Sequence, residues 1–276
     1  MTDPSFENAL PLAVGAPRAF ADEGARISCV MVTGNRRALA RRAVACFLAQ
    51  DWPNRELVIV DDGGEDYAPI LADIPADRLT YRQLAKSADS TLGRLRNLSL
   101  ELAGGAMVAQ WDDDDWYHPA RLSRQAQAMD AGGAKACVLA ATLMHLDAPE
   151  WRAHAYVGGL KPGVPGTILH VADPAARYPE TRRGEDTVFL DHWQADELAV
   201  LDAPELFLRA FHGSNTWERA HFERRLRNSP ASAAEYWLRR VLRGDVFGHR
   251  RFRLGPRERA AFDAFLADSR HLELMK

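Results

Sequence analysis

Four consecutive carboxylates, Asp112-Asp113-Asp114-Asp115, follow the apolar run Ala106-Met107-Val108-Ala109-Gln110-Trp111 and precede Trp116-Tyr117-His118-Pro119. Adjacent carboxylates repel, and crowding them in a dry cleft raises each other's pKa. A divalent cation relieves that repulsion. Hard oxygen donors suit Mg2+ or Mn2+, which bind through one or two carboxylates and bridge a substrate diphosphate. Extended backbone would put Asp112 and Asp114 on one face and Asp113 and Asp115 on the other, so only part of the run can ligate. Another member could hydrogen-bond a ribose, and Asp115 could cap the following helix. The plain alternative is a solvated acidic loop, and the position straight after an apolar strand argues against it.

Two further groups could do chemistry. Gly184-Glu185-Asp186 precedes the apolar stretch Thr187-Val188-Phe189-Leu190. Asp186 there is either a general base accepting a proton from a hydroxyl or a helix cap held by free backbone N–H groups. His212, in Phe211-His212-Gly213-Ser214-Asn215-Thr216-Trp217, could ligate a metal or bond a phosphate; a hydrogen-bonded turn histidine is the other reading.

These groups need a scaffold that brings distant segments together. Ile27-Ser28-Cys29-Val30-Met31-Val32 and Glu56-Leu57-Val58-Ile59-Val60 are short apolar runs ended by Thr33-Gly34-Asn35-Arg36 and Asp61-Asp62-Gly63-Gly64. Such runs read as buried strands with their exit loops. Between them, residues 38–50 carry Leu39, Ala43, Val44, Phe47 and Leu48 at helical spacing. Strand–helix–strand order implies parallel neighbours joined by a right-handed crossover. The alternation continues with strands at 79–81, 106–111 and 136–142 and helices at 92–102 and 121–129. The fold class is therefore α/β, with a mainly parallel sheet flanked by helices. In open α/β sheets ligands bind beyond the carboxyl ends of the strands, and the polar exits above collect there.

Residues 1–25 read as an N-terminal extension, 26–217 as the main domain and 218–276 as an Arg-rich, helical C-terminal appendage. In that last part Trp237, Leu238, Val241 and Leu242 share one helix face. Three readings of it stay open: a solvated face, a contact between copies of the chain, or a peripheral contact with an anionic membrane. Residues 157–167 are rich in Gly and Pro, which suits either a mobile loop at an acceptor site or a surface connection. Nearby Trp151 and Tyr156 could stack on a sugar ring or be buried.

The net charge of −3 excludes binding driven by overall positive charge, so nucleic acid is not an expected partner. Cys29, Cys46 and Cys137 are far apart and odd in number, which predicts neither a disulfide framework nor a cysteine-rich zinc site. No run reaches the roughly 18 apolar residues of a membrane span. Met1–Leu10 holds Asp3 and Glu7 and no Lys or Arg, unlike a secretory signal. The expected location is cytoplasmic, with the inner face of the membrane as the place the Arg-rich part allows.

Residues 27–36, Asp61-Asp62-Gly63, Arg96-Asn97, Asp112-Asp113-Asp114-Asp115 with Pro119, and Gly184-Glu185-Asp186 occur in the order found in family 2 glycosyltransferases of the GT-A fold. The chain resembles that family over roughly residues 26–217. The resemblance implies a Rossmann-type GT-A sheet and an inverting transferase, hexosyl or related, that uses a nucleotide-diphosphate sugar, UDP-sugars ahead of others. It implies a base and ribose pocket at Thr33, Asn35, Arg36, Asp61 and Asp62. Asp112 to Asp114 are similar to the family's DXD motif: Asp114 is the main contact for Mn2+ or Mg2+, aided by Asp112 and His212, with Asp113 or Asp112 near the ribose and diphosphate. Asp186 matches the catalytic aspartate, with Glu185 beside it, and Arg96 matches an arginine on the donor side. The acceptor would be a glycan, a lipid-linked saccharide or a small molecule.

The chain also departs from the family. The first exit loop often reads Pro-Thr-Tyr-Asn there, and here it is Val32-Thr33-Gly34-Asn35. Gly34 thus removes an aromatic platform for a nucleobase. No Gln-x-x-Arg-Trp motif is present, which argues against a processive synthase. Two other functions remain in view: a nucleotidyltransferase, and a catalytically idle sugar-nucleotide-binding protein.

Overall fold

The computed structural model describes residues 24–275 except 86, 88, 89, 182, 183, 214, 216 and 217. Nearly all of the proposed N-terminal extension therefore lies outside the described residues. The chain forms β1 (Ile27–Thr33), α1 (Arg37–Leu48), β2 (Arg55–Asp61), α2 (Ala68–Leu71), β3 (Leu79–Gln83), α3 (Leu92–Leu102), β4 (Met107–Gln110), β5 (Trp116–Tyr117) and α4 (Arg121–Gly132). There follow β6 (Ala136–Leu146), β7 (Ala155–Val171), α5 (Glu185–Leu190), β8 (Leu198–Leu201), β9 (Phe207–Phe211), α6 (Arg219–Arg224), α7 (Pro230–Leu238) and α8 (Pro256–His271). One sheet runs β3-β2-β1-β4-β7-β6-β9-β5, with β8 on β6. The β1, β2, β3 and β4 ladders are parallel, as are β6 with β8 and β9. Among the described residues, only β7, against β4 and β6, and β5, against β9, pair antiparallel. The result is an α/β fold with a mostly parallel sheet.

Strand alternation divides the apolar runs between two layers. Cys29, Met31, Leu57, Ile59, Met107 and Ala109 point to one side, where Ala40, Ala43, Val44 and Phe47 of α1 cover them. Val30, Val58 and Val108 point to the other, toward Leu100 and Leu102 of α3. Both faces are thus dry, which is why these strands read as continuous apolar runs rather than as alternating ones. Thr91 caps α3 by accepting a hydrogen bond from the Arg94 amide at 3.3 Å. Gly133, in the left-handed conformation at φ 60°, closes α4. Cys29, Cys46 and Cys137 are buried and unpaired.

Two regions differ from the sequence reading or extend it. The Gly/Pro-rich stretch 157–167 is part of the long strand β7 and not a loop. Its pairing with β6 shifts register between Cys137 and Ala141. Such irregularities absorb residues that cannot donate to a ladder, so Pro162 and Pro165 are accommodated. Trp151 and Tyr156 are buried, and the Tyr156 hydroxyl donates to the Phe222 carbonyl at 2.7 Å. The 218–276 part is helical as expected, but its last helix is built into the main core. Phe262 and Phe265 of α8 join that core, Trp116 Nε1 donates to Asp268 at 2.8 Å, and Arg42 donates to Ser269 at 3.1 Å.

His170 sits between the Phe189 and Trp193 rings, with centroids 5.2 and 5.3 Å away, and burial pushes its pKa down to about 4. The unfolded chain takes up this proton below about pH 6.5, whereas the folded chain does not until about pH 4. Stability from the neutral imidazole is therefore complete above pH 6.5 and declines as the pH falls toward 4. Relative to His170→Phe, the wild type is expected to lose about 1.4 kcal/mol per pH unit across that window. Urea unfolding at stepped pH checks this; parallel curves for the two proteins would contradict it.

Candidate active site

The exits of β1, β2 and β4 open on a single cavity of about 320 Å³. Thr33, Gly34, Arg36, Asp62, Arg96 and Asp112 to Asp115 line it, and so do Gly184, Glu185 and Asp186 from the start of α5. The two acidic groups read from sequence as separate motifs therefore face one hollow. A side chain grown at Gly166 would place its Cβ 3.6 Å from an Asp112 oxygen and 3.8 Å from an Asp186 oxygen. The carboxylates of Asp112 and Asp186 thus flank the same point on β7.

The acidic run does not keep the strand alternation expected of it: the backbone turns at Asp113 and Asp114, and all four carboxylates line the cavity. Asp113 and Asp115 are buried, and Asp112 and Asp114 are half-buried. Asp113 accepts from Thr33 Oγ1 at 2.6 Å and from Arg36 Nη1 at 3.3 Å. Asp114 accepts on one oxygen from Arg36 Nη1 at 3.3 Å, His212 Nε2 at 3.1 Å and Asn215 Nδ2 at 3.3 Å. Asp112 accepts from Arg96 Nη2 at 3.0 Å and from Gln110 at 3.2 Å. Asp115 does not cap a helix: it accepts from the Ala210 amide at 3.3 Å, and α4 begins without a side-chain cap. Burial and the neighbouring Asp114 charge push Asp113 up to about 7 and Asp115 well above the usual range. Burial acts the same way on Asp114, but the His212 hydrogen bond and charge, with Arg36, hold it below the carboxylate norm.

Arg96 ties the two acidic groups together. It is buried, pairs with Asp112 at 3.0 Å and with Glu185 at 3.1 Å, and lies over the Tyr178 ring. Removing it strands Glu185 in a dry place and leaves half-buried Asp112 without its ion pair. Arg96→Met is expected to destabilise the fold by about 3 kcal/mol, because breaking a buried pair leaves uncompensated charge. Denaturant unfolding measures this, and a loss below about 1 kcal/mol would show that the carboxylates find water instead.

Asn35 and Asp61 do not line the cavity. Asn35, at φ 57°, accepts from the Gly64 amide at 2.8 Å. Asp61 is fully buried and accepts from the Gly63 amide at 2.8 Å and the Tyr81 hydroxyl at 2.6 Å. Both hold the exit loops in shape. A Cβ at Gly34 would stand 2.3 Å from Asp62 Oδ1, so a side chain there requires Asp62 to turn away. Asp186 is half-buried, and its Oδ1 accepts from the Thr187 amide at 2.9 Å.

Several contributors escaped the sequence reading. Arg209 on β9 lines the cavity and approaches Asp115 at 3.9 Å; an arginine inside the apolar strand Phe-Leu-Arg-Ala-Phe was the available signal. The Tyr67 hydroxyl shares a 2.7 Å hydrogen bond with Thr33 and accepts from the Arg36 amide at 3.0 Å. Fully buried Arg121 lies over the Trp111, Tyr117 and Phe207 rings and donates to the Gln110 carbonyl at 3.0 Å. It braces the end of β4 from behind. Nothing local in the sequence marks Tyr67 or Arg121 as partners of the acidic run.

Among the described residues no three His, Cys, Asp or Glu side chains form a ready metal cage. The donors still fit a hard cation. Asp114 and Asp112 offer carboxylate oxygens and His212 an imidazole, and these side chains line or adjoin one cavity whose remaining acids, Asp113 and Asp115, repel the Asp114 charge. Mg2+ and Mn2+ typically use one or two protein carboxylates and complete their shell with water and substrate oxygens.

A mostly parallel α/β sheet with an acidic cavity beyond its strand ends is an α/β architecture of the GT-A type. Residues 28–161, just under half of the chain, match the family model "Glycosyl transferase family 2". The chain is 37% identical over 100 residues to WcaA of Escherichia coli (strain K12), covering 35% of each chain. It is 33% identical over 127 residues to the succinoglycan biosynthesis protein ExoO of Rhizobium meliloti (strain 1021), covering 46% of this chain and 36% of ExoO. The matched segments thus span about a third of these curated relatives. Among solved structures, S. aureus TarS 1-349 in complex with UDP-GlcNAc aligns with TM-score 0.56 at 17% identity, covering 90% of this chain and 81% of that one. The mannosyltransferase PcManGT from Pyrobaculum calidifontis, in complex with GDP-Man and Mn2+, aligns with TM-score 0.53 at 16% identity, covering 95% and 83%. At these identities the likeness shows the shared GT-A fold.

Proposed function

We propose that this protein is an inverting glycosyltransferase that moves a sugar from a nucleotide-diphosphate sugar to an acceptor hydroxyl, with a divalent cation at Asp114. The observation that carries this reading is the shared cavity, in which Asp186 and the Asp112–Asp115 run face one space. Asp186 accepts the proton of the acceptor hydroxyl, and the freed oxygen attacks the anomeric carbon on the face opposite the nucleotide. Thr33, Arg36 and Asp62 hold the nucleoside end, and Arg96 fixes the spacing between Asp112 and the start of α5. Arg36 and Arg209 supply fixed positive charge near the departing diphosphate. A bound Mn2+ or Mg2+ would stabilise charge on that leaving group, held by Asp114 with Asp112 and His212. The ligands of TarS and PcManGT favour a UDP- or GDP-linked donor. The acceptor class, glycan, lipid-linked or small molecule, follows from the family.

A thermal-shift series of nucleoside diphosphates with and without Mn2+ tests the site. Stabilisation by one base, larger with Mn2+, is the expected result. Product analysis then tests the reaction: a nucleoside diphosphate marks glycosyl transfer, pyrophosphate marks nucleotidyl transfer, and tight binding with no turnover marks an idle binding protein.

A further inference from the structure

α6, α7 and the helical turn Arg239–Arg243 form a face that the proposed reaction does not use. Trp237, Leu238, Val241 and Leu242 are 49, 51, 71 and 73% exposed. Helical spacing sets Pro230, Ala233, Trp237 and Val241 on one stripe. The start of that stripe walls a second cavity, of about 650 Å³, lined by His221, Arg224, Arg225, Arg227, Pro230 and Ala233. Arg227 joins the two features, because its guanidinium lies over the Tyr236 and Trp237 rings at 5.1 and 5.6 Å. Its Nε is buried with no hydrogen-bond partner among the described residues.

The charge on this face is uncompensated. Glu235 pairs with Arg239 at 3.1 Å and Arg250 at 2.5 Å. Among the described residues no carboxylate lies within ion-pair distance of Arg224, Arg225, Arg227 or Arg240. Burial first, and then Arg225, Arg209 and Arg224, push His221 down to about 4 against an opposing pull from Asp186. The chain as a whole carries −3, so the excess is a property of this face.

We infer that this face docks on an anionic lipid surface, with headgroup phosphates taken by Arg224, Arg225 and Arg227 and with Trp237, Leu238, Val241 and Leu242 entering the acyl boundary. Arginine forks match phosphate oxygens, and an indole sits well at the boundary between water and hydrocarbon. A soluble acidic protein would satisfy the arginines but would leave four large apolar side chains facing polar surface. The inference is independent of the transfer reaction.

Flotation of the full chain with vesicles tests it. The chain is expected to float with phosphatidylcholine vesicles containing phosphatidylglycerol and not with phosphatidylcholine alone, and added salt should weaken the binding. Arg225→Gln/Arg227→Gln is expected to lower partition about 25-fold, taking about fivefold for each arginine near the surface. Val241→Ser/Leu242→Ser, at exposed positions, should lower it without moving the thermal midpoint. Absence of flotation at low salt, equal partition onto both vesicles, or variants that bind like the wild type would overturn the inference. So would a dimer in sedimentation velocity that the Val241→Ser/Leu242→Ser variant dissolves, since a second copy would then cover this face.

Discussion

Asp186→Asn is expected to lower kcat by at least about 10²–10⁴-fold while nucleoside diphosphate affinity with Mn2+ stays near the wild-type value. The amide keeps the shape of the carboxylate, and its oxygen can still accept from the Thr187 amide, which Asp186 Oδ1 now does at 2.9 Å. The start of α5 therefore survives the change. What disappears is a group able to hold the acceptor proton as the new bond forms. Steady-state rates with a competent donor and acceptor, alongside calorimetry of the nucleoside diphosphate, separate the two effects. Turnover within a few-fold of wild type would remove Asp186 from the mechanism, whatever the fate of binding.

Asp114→Ala is expected to abolish the Mn2+ dependence of nucleoside diphosphate binding, a weakening on the order of 100-fold where the metal now helps. Its effect on stability should be small. Three donors converge on one Asp114 oxygen, but Arg36 retains Asp113 at 3.3 Å, and removing one charge relieves Asp113 and Asp115, which Asp114 pushes upward. A variant that unfolds at lower denaturant and still binds nucleotide in a Mn2+-dependent way would contradict both halves of this expectation. Isothermal calorimetry with and without the cation decides the first half directly.

Much of the scaffold was legible because strands buried on both faces write themselves as apolar runs. β1, β2 and β4 sit within a residue or two of their expected places, as do α1 and α3, while α4 starts where expected and runs three residues further. The alternation expected along Asp112 to Asp115 is not what forms: the chain turns at Asp113 and Asp114 and brings all four carboxylates to one cavity. β7 was not legible. Its glycines and prolines carry no strand signal of their own, and its extended form comes from β6 on one side and β4 on the other. The same holds for partners in the site. Asp114 meets His212 and Asn215 about a hundred residues along the chain, and Arg96 meets Glu185 from another layer. Residue type can nominate such side chains, but only the sheet order makes them neighbours. Asn35 and Asp61 illustrate the converse: the motif was present, but its members are occupied in bracing their own loops.

The crowding at Gly34 bears on how this loop can diverge. A methyl group there would strike only the tip of Asp62, its next neighbours standing 3.5 Å or more away, so the acid's side chain is what must move. An aromatic shelf for the base and an acid at 62 in its present pose are thus alternatives that exclude one another. Gly34→Tyr alone should swing that acid out of the pocket, whereas Gly34→Tyr with Asp62→Gly should leave the loop as it stands, so the two positions are expected to behave as one unit.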